Sequence, residues 1–104
     1  MDLTTDLAGI RLRNSTMLSS GILGISSSLL KRIYETGVGY VVTKSIGPNP
    51  RNVFPNQCIV EATGGYINAM GLPNPGIKAF LEEIDELNQM NISIIVSIFG
   101  DEEK

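Results

Sequence analysis

Tyr40-Val41-Val42-Thr43-Lys44-Ser45 is the stretch on which the fold turns. It opens with apolar and β-branched residues in unbroken succession and closes on a cation and a hydroxyl. A run without polar alternation reads as a strand covered on both faces, the habit of parallel sheets flanked by helices. Just upstream, Ser26, Ser27 or Ser28 can cap a helix in which Leu29 pairs with Ile33 and Leu30 with Tyr34. Gly37 follows, where a left-handed stop is wanted. Further back, Thr16-Met17-Leu18-Ser19 reads as a short strand, and the glycines of Ser20-Gly21-Ile22-Leu23-Gly24 turn the chain. Residues 3–7 and 10–13 flank Ala8-Gly9 as a hairpin within residues 1–15. Ile10 and Leu12 lie on one side of it, Arg11 and Arg13 on a solvated face.

Downstream, residues 45–74 form a long connection rich in proline and glycine, with a small strand at Cys58-Ile59-Val60-Glu61. A connection of that length in a compact domain is usually functional. Asn74-Pro75 predicts a helix start, an Asn cap followed by Pro in the first turn. Ile77, Leu81, Ile84 and Leu87 form its apolar stripe, while Glu82, Glu83, Asp85 and Glu86 read as a solvated face. Asn91 is a plausible stop, and residues 93–98 are a third strand closed by Phe99-Gly100. Asp101-Glu102-Glu103-Lys104 reads as the first turn of another helix. The order is hairpin, β, α, β, α, β and a helix start: an α/β chain whose strands should be parallel with right-handed crossovers.

Bulk properties narrow the function classes. The chain has 104 residues, room for one domain or part of one, with 42% apolar residues and a net charge of −3. A mildly acidic chain without a basic run is a poor ligand for nucleic-acid phosphates or anionic lipid. There is no His, which removes imidazole metal sites and any Ser-His or Cys-His pair from these residues. No metal site is expected. The lone Cys58 cannot form an internal disulfide, residues 1–6 are acidic and polar rather than a signal peptide, and apolar runs are far short of a membrane span. A cytoplasmic protein is the expectation. A three-stranded parallel sheet ending at a helix start leaves an open apolar edge, and the chain by itself is expected to self-associate.

Chemistry in such folds sits at the carboxyl ends of the strands. Ser19-Ser20-Gly21, Lys44-Ser45 and residues 97–100 fall there, with the long connection arching over the same rim. Lys44 can hold an anion or stabilise charge on a reduced cofactor; it reads equally well as a strand-end lysine snorkelling to water. Asn68-Ala69-Met70-Gly71-Leu72-Pro73-Asn74-Pro75-Gly76 offers an amide and a glycine-opened backbone, or simply a lead into a capped helix. Gly21-Ile22-Leu23-Gly24 is half of a dinucleotide fingerprint, and no acidic residue closes the second strand, which disfavours a Rossmann fold.

Three motifs together, Ser-Ser-Gly at 19–21, Val-Thr-Lys-Ser at 42–45 and Thr-Gly-Gly-Tyr-Ile-Asn-Ala-Met-Gly-Leu-Pro-Asn-Pro-Gly at 63–76, resemble dihydroorotate dehydrogenases. The likeness is to the soluble class 1 enzymes, in particular the type whose catalytic subunit works with an electron-transfer subunit. It spans essentially the whole chain and includes Leu-Ala-Gly-Ile-Arg-Leu-Arg-Asn at 7–14 as the N-terminal hairpin. The resemblance implies the N-terminal portion of a (β/α)₈ TIM barrel, a hairpin plus at most three βα units, as one incomplete domain over 1–104. It implies FMN as cofactor, dihydroorotate and orotate as substrate and product in pyrimidine biosynthesis, and an FAD and iron–sulfur electron-transfer subunit as partner in a homo- or hetero-oligomer. It places FMN contacts at Ser20, Gly21, Lys44, Ser45 and Ser97, and substrate contacts at Lys44, Asn68, Ala69, Met70, Gly71 and Leu72. The family's catalytic base and phosphate-gripping loops fall beyond residue 104, so the isolated chain is expected to be inactive and to bind FMN weakly or not at all. Two departures stand out: Asn14-Ser15 replaces the usual Asn-Pro, and Ser-Ile-Phe-Gly at 97–100 stands where Asn-Ile-Ala-Gly is common, so that Ser97 replaces Asn and the bulky Phe99 replaces alanine. Other readings remain: a related flavin barrel such as dihydropyrimidine dehydrogenase or dihydrouridine synthase, or a non-catalytic remnant or split-barrel assembly module.

Overall fold

The computed structural model describes residues 1–55 and 57–100. In chain order these form β1 (Thr5–Leu7), β2 (Ile10–Leu12), β3 (Met17–Leu18), α1 (Ser27–Glu35), β4 (Tyr40–Val42), β5 (Ile59–Ala62), β6 (Gly65–Asn68), α2 (Ile77–Gln89) and β7 (Ile94–Ile95), with a 3₁₀ turn at Ile22–Gly24 before α1. The helix start expected at 101–104 lies outside the described residues.

The central sheet is parallel, in the order β3-β4-β7. Leu18 pairs with Val41 and Val41 with Ile94; one residue along, Met17 pairs with Tyr40 and Val42 with Ile95. Because side chains alternate along a strand, the first set shares one face and the second the other. Leu18, Val41 and Ile94 face the helices, where Leu30 of α1, Leu87 of α2, Val41 and Ile92 form the core. Met17, Tyr40, Val42 and Ile95 are not buried. The expectation of a strand covered on both faces therefore holds on one face only. Both helices contribute to the core on the same side, and no described element covers the other.

Several local readings need correction. In α2 the buried residues are Phe80 and Leu87, and Leu81 is exposed. The inward line is 77, 80, 84 and 87, the three-and-four spacing of one helical face, whereas Leu81 lies a position off it. The acidic face is not all solvated. A Glu83 carboxylate oxygen accepts the Ser27 backbone N–H, and Glu86 accepts the Ser27 hydroxyl. Both carboxylates thus sit at the N-terminus of α1, where free N–H groups and the helix dipole favour negative charge. Ser26 is the α1 cap, accepting from the Leu29 N–H at 3.4 Å, and Gly37 takes up φ 107 just past its end. Arg13 is exposed as expected, and it also donates to the Val38 carbonyl at 2.7 Å and to the Tyr34 carbonyl and lies 4.0 Å from the Tyr34 ring centroid. It adds a second donor to the Tyr34 carbonyl, which already accepts the Gly37 N–H at 3.1 Å, and ties the hairpin to the segment after α1. Leu12 of the hairpin is buried and Ile10 is not.

The third strand is shorter than expected. After Ile95 the ladder is interrupted where the Ser97 N–H donates to the Thr43 hydroxyl at 3.0 Å. Pairing resumes as an isolated bridge between Ile46 and Ile98. The long connection holds more order than its composition suggests. β5 and β6 pair as an antiparallel hairpin, from Ile59 opposite Asn68 to Ala62 opposite Gly65, with Gly64 at φ 82 in the turn. Arg51 and Asn74 then exchange both backbone hydrogen bonds at 2.9 Å and close the excursion at its base. Asn74 does not cap α2; Gly76 stands at that position.

Candidate functional site at the strand ends

The carboxyl ends of the three parallel strands converge. The hydroxyl of Ser20, after β3, lies 3.3 Å from that of Ser45, after β4. Ser45 in turn lies 2.9 Å from Ser97, after β7. Residues far apart in sequence thus form one row of hydroxyls across the sheet end. Each can donate or accept as a neighbour demands. Gly21 lines a shallow cleft with Leu18, Ser19, Ser20 and Leu23 at the same end.

Lys44 is placed by the glycine turn opposite it. Its backbone N–H donates to the Gly24 carbonyl at 2.8 Å. A Cβ on Gly24 would fall on the Lys44 nitrogen, so only glycine permits the approach. The lysine lines a cleft of about 270 Å³ with Ile25, Val53, Met70 and Pro73. Val53, Met70 and Pro73 belong to the connection, which thus shares this cleft with Lys44. A cation beside largely apolar walls can attract an anionic group.

The remaining expected residues stand around this cleft rather than in its wall. Asn68 ends β6, exposed, and its Oδ1 accepts the Met70 N–H at 3.4 Å. Ala69 donates to the Cys58 carbonyl at 2.7 Å, which ties the turn to the start of β5. Gly71 and Leu72 both have positive φ, 72° and 53°. Gly71 carries the edge of the Phe54 ring, which a Cβ would meet at 2.5 Å. Leu72 is 47% exposed although it adopts a conformation costly for a bulky side chain. Sequence reasoning missed Val53 and Ile25 as cleft residues; neither carries a polar group that could have signalled it.

Phe99, the bulky departure, is accommodated by Gly47. The ring sits where a Cβ at 47 would be, 2.6 Å from its Cζ, and the Arg51 guanidinium stands 5.5 Å from the ring centroid. The residue most foreign to the motif is thus packed against a glycine two positions beyond Ser45.

Parallel strands with helices on one face, and a hydroxyl row and a cation at their carboxyl ends, define an α/β protein of the kind that binds ligands beyond its strand ends. Residues 2–104 match the family profile of dihydroorotate dehydrogenases, and the chain belongs to that family. It is 52% identical over 106 residues to the catalytic subunit of dihydroorotate dehydrogenase B (NAD(+)) of Methanocaldococcus jannaschii, covering 98% of this chain and 35% of that protein. It is 48% identical over 100 residues to the same subunit of Pyrococcus furiosus, covering 96% of this chain and 33% of that one. The chain therefore spans about a third of the length of these curated relatives. The dihydroorotate dehydrogenase of Eimeria tenella, solved in complex with ferulenol, superposes with a TM-score of 0.79 over 99% of this chain and 30% of its own, at 16% identity. That likeness carries the α/β fold. No helix of the described residues is long and apolar enough to cross a membrane.

Proposed function

We propose that these residues form one rim of the flavin and substrate site of a dihydroorotate dehydrogenase catalytic subunit, oxidising dihydroorotate to orotate in pyrimidine biosynthesis. The observation that carries the reading is the convergence of Ser20, Ser45 and Ser97 in one hydroxyl row, with Lys44 next to Ser45 and sharing a cleft with Met70. Serines donated by three separate strands fit the polar edge of a flat heterocycle, and FMN matches that edge. Ser20, Gly21, Lys44, Ser45 and Ser97 would hold it. FMN, when bound, supplies the acceptor for the hydride leaving the substrate. The Lys44 ammonium would offset negative charge on the substrate carboxylate and on the reduced ring. Asn68 would hydrogen-bond the substrate, and Ala69, Met70, Gly71 and Leu72 would line it, with the backbone N–H groups of Gly71 and Leu72 towards its carboxylate, since the Ala69 and Met70 N–H groups are taken by the Cys58 carbonyl and the Asn68 side chain. No residue here is assigned as the base; Cys58 lies before β5 and is not promoted to it.

On this reading the three strands belong to a (β/α)₈ barrel, with residues 1–15 a hairpin outside it and 45–74 a cover over its mouth. The TM-score of 0.79 against a family structure supports it. The relatives are named catalytic subunits, which supports a catalytic role for this chain within a larger assembly; an electron-transfer subunit would be its partner, and a cytoplasmic location agrees with the lone cysteine. The 104-residue polypeptide by itself is inactive on this reading. The test is dihydroorotate oxidation by the protein carrying this chain, wild type against Lys44→Ala. A loss of about 10²-fold or more is expected when a preorganised charge at the reacting centre is removed. An unchanged rate would remove the role assigned to Lys44.

A further inference from the structure

Asn74 is one of very few buried polar residues among those described, at 8% exposed, and the proposed chemistry does not use it. Its side chain is heavily engaged. Oδ1 accepts the Gly47 N–H at 3.1 Å and the Gly76 N–H at 2.9 Å, while Nδ2 donates to the Leu72 carbonyl at 2.9 Å. Its backbone is bound to Arg51 in both directions. One end of the amide therefore anchors to the chain leaving β4 and to the approach to α2. The other end grips Leu72, a bulky residue held at φ 53. A left-handed leucine persists only where surrounding contacts over-determine it, and such strain is a pointer to function.

We propose that Asn74 is a positioning residue that holds Leu72 left-handed and so sets the backbone of the Met70-Gly71-Leu72 turn for an anionic planar substrate. The inference rests on the site reading above and goes beyond it, because Asn74 touches no substrate on that reading. The two ends of the amide can be separated chemically. Asn74→Asp keeps an oxygen for Gly47 and Gly76 and replaces the donor to Leu72 with a second acceptor, so two oxygens face each other. Asn74→Ala would remove both ends and could not tell anchoring from positioning.

The experiment is a double-mutant cycle on the full protein, read as orotate affinity by calorimetry, with Asn74→Asp and Leu72→Gly. Glycine adopts the left-handed conformation without a partner to hold it. Asn74→Asp is expected to weaken orotate binding roughly 10-fold, the scale of one buried hydrogen bond. In the Leu72→Gly background the same substitution should cost less than about threefold, because nothing strained remains to be held. Equal losses in both backgrounds would reduce Asn74 to an anchor and overturn the proposal, as would unchanged affinity in Asn74→Asp. If Asn74→Asp does not accumulate folded, Asn74→Ser takes its place; its hydroxyl can still accept from Gly76, two residues on. Lys44→Ala is the control for the underlying reading. Failure of orotate to bind the unsubstituted protein, or equal affinity in Lys44→Ala, sinks that reading and the proposal with it. An Asn74 result on its own sinks only the latter.

Discussion

Gly47→Ala offers a quantitative test of how the strand ends are packed. Gly47 is buried, and a Cβ there would lie 2.6 Å from Cζ of Phe99 and 3.1 Å from both Cε atoms. Ordinary carbon contacts start near 3.5 Å, so the ring must retreat by about 0.9 Å. It has little freedom to do so, with Arg51 near the ring and the Phe99 N–H held by the Ile46 carbonyl at 3.0 Å. Overpacking of this kind costs about 1–3 kcal/mol. Gly47 is not among the positive-φ glycines, so alanine regains about 0.4–1 kcal/mol through the unfolded chain. The net expectation is a loss of about 1–2 kcal/mol, measured by denaturant unfolding of the protein carrying this chain. The decisive comparison is Gly47→Ala in a Phe99→Ala background. With the ring gone, the alanine should be neutral or mildly stabilising. An equal penalty in both backgrounds would show that the glycine is required for another reason and that the Phe99 contact is not the constraint.

Three further outcomes are expected. Gly24→Ala would drive a Cβ into the Lys44 backbone nitrogen, which cannot move without breaking the β4 end; it should cost more than 2 kcal/mol in unfolding free energy, and a neutral result would mean that the turn does not seat on Lys44. Glu83→Ala removes the acceptor of the Ser27 N–H at the α1 N-terminus and should cost about 1–2 kcal/mol, whereas Glu82→Ala, on an exposed residue nearby, should stay within about 0.5 kcal/mol. The 104-residue polypeptide expressed by itself should self-associate in sedimentation velocity. Met17 is 37% exposed on the uncovered sheet face, Ile98 is 73% exposed just beyond β7, and the edges of β3 and β7 are unpaired among the described residues. A monodisperse monomer with a cooperative melt would contradict that.

What was legible in the residues was local. Gly37 and Asn91 announce the ends of two helices because left-handed backbone is a property of one residue and its neighbours; both have positive φ. The parallel order of β3, β4 and β7 follows from helices intervening between strands. Lys44 was legible because it closes an apolar run, and the motif at 63–76 because it is long. The hydroxyl row was not legible, since no single serine announces that it will stand beside two others. Nor was the second strand of the 45–74 excursion, Gly65–Asn68, whose residues are all exposed and show no apolar periodicity.

The residues alone therefore determined the two helices, the parallel strands and the left-handed positions Gly37 and Asn91, because those depend on neighbours within a few turns of chain. Tertiary structure alone decided that Glu83 and Glu86 serve the start of α1, that Gly47 receives the Phe99 ring, and that Asn74 grips Leu72 rather than capping a helix. Each of these pairs a donor with an acceptor, or a void with a ring, and only folding brings the two partners within reach.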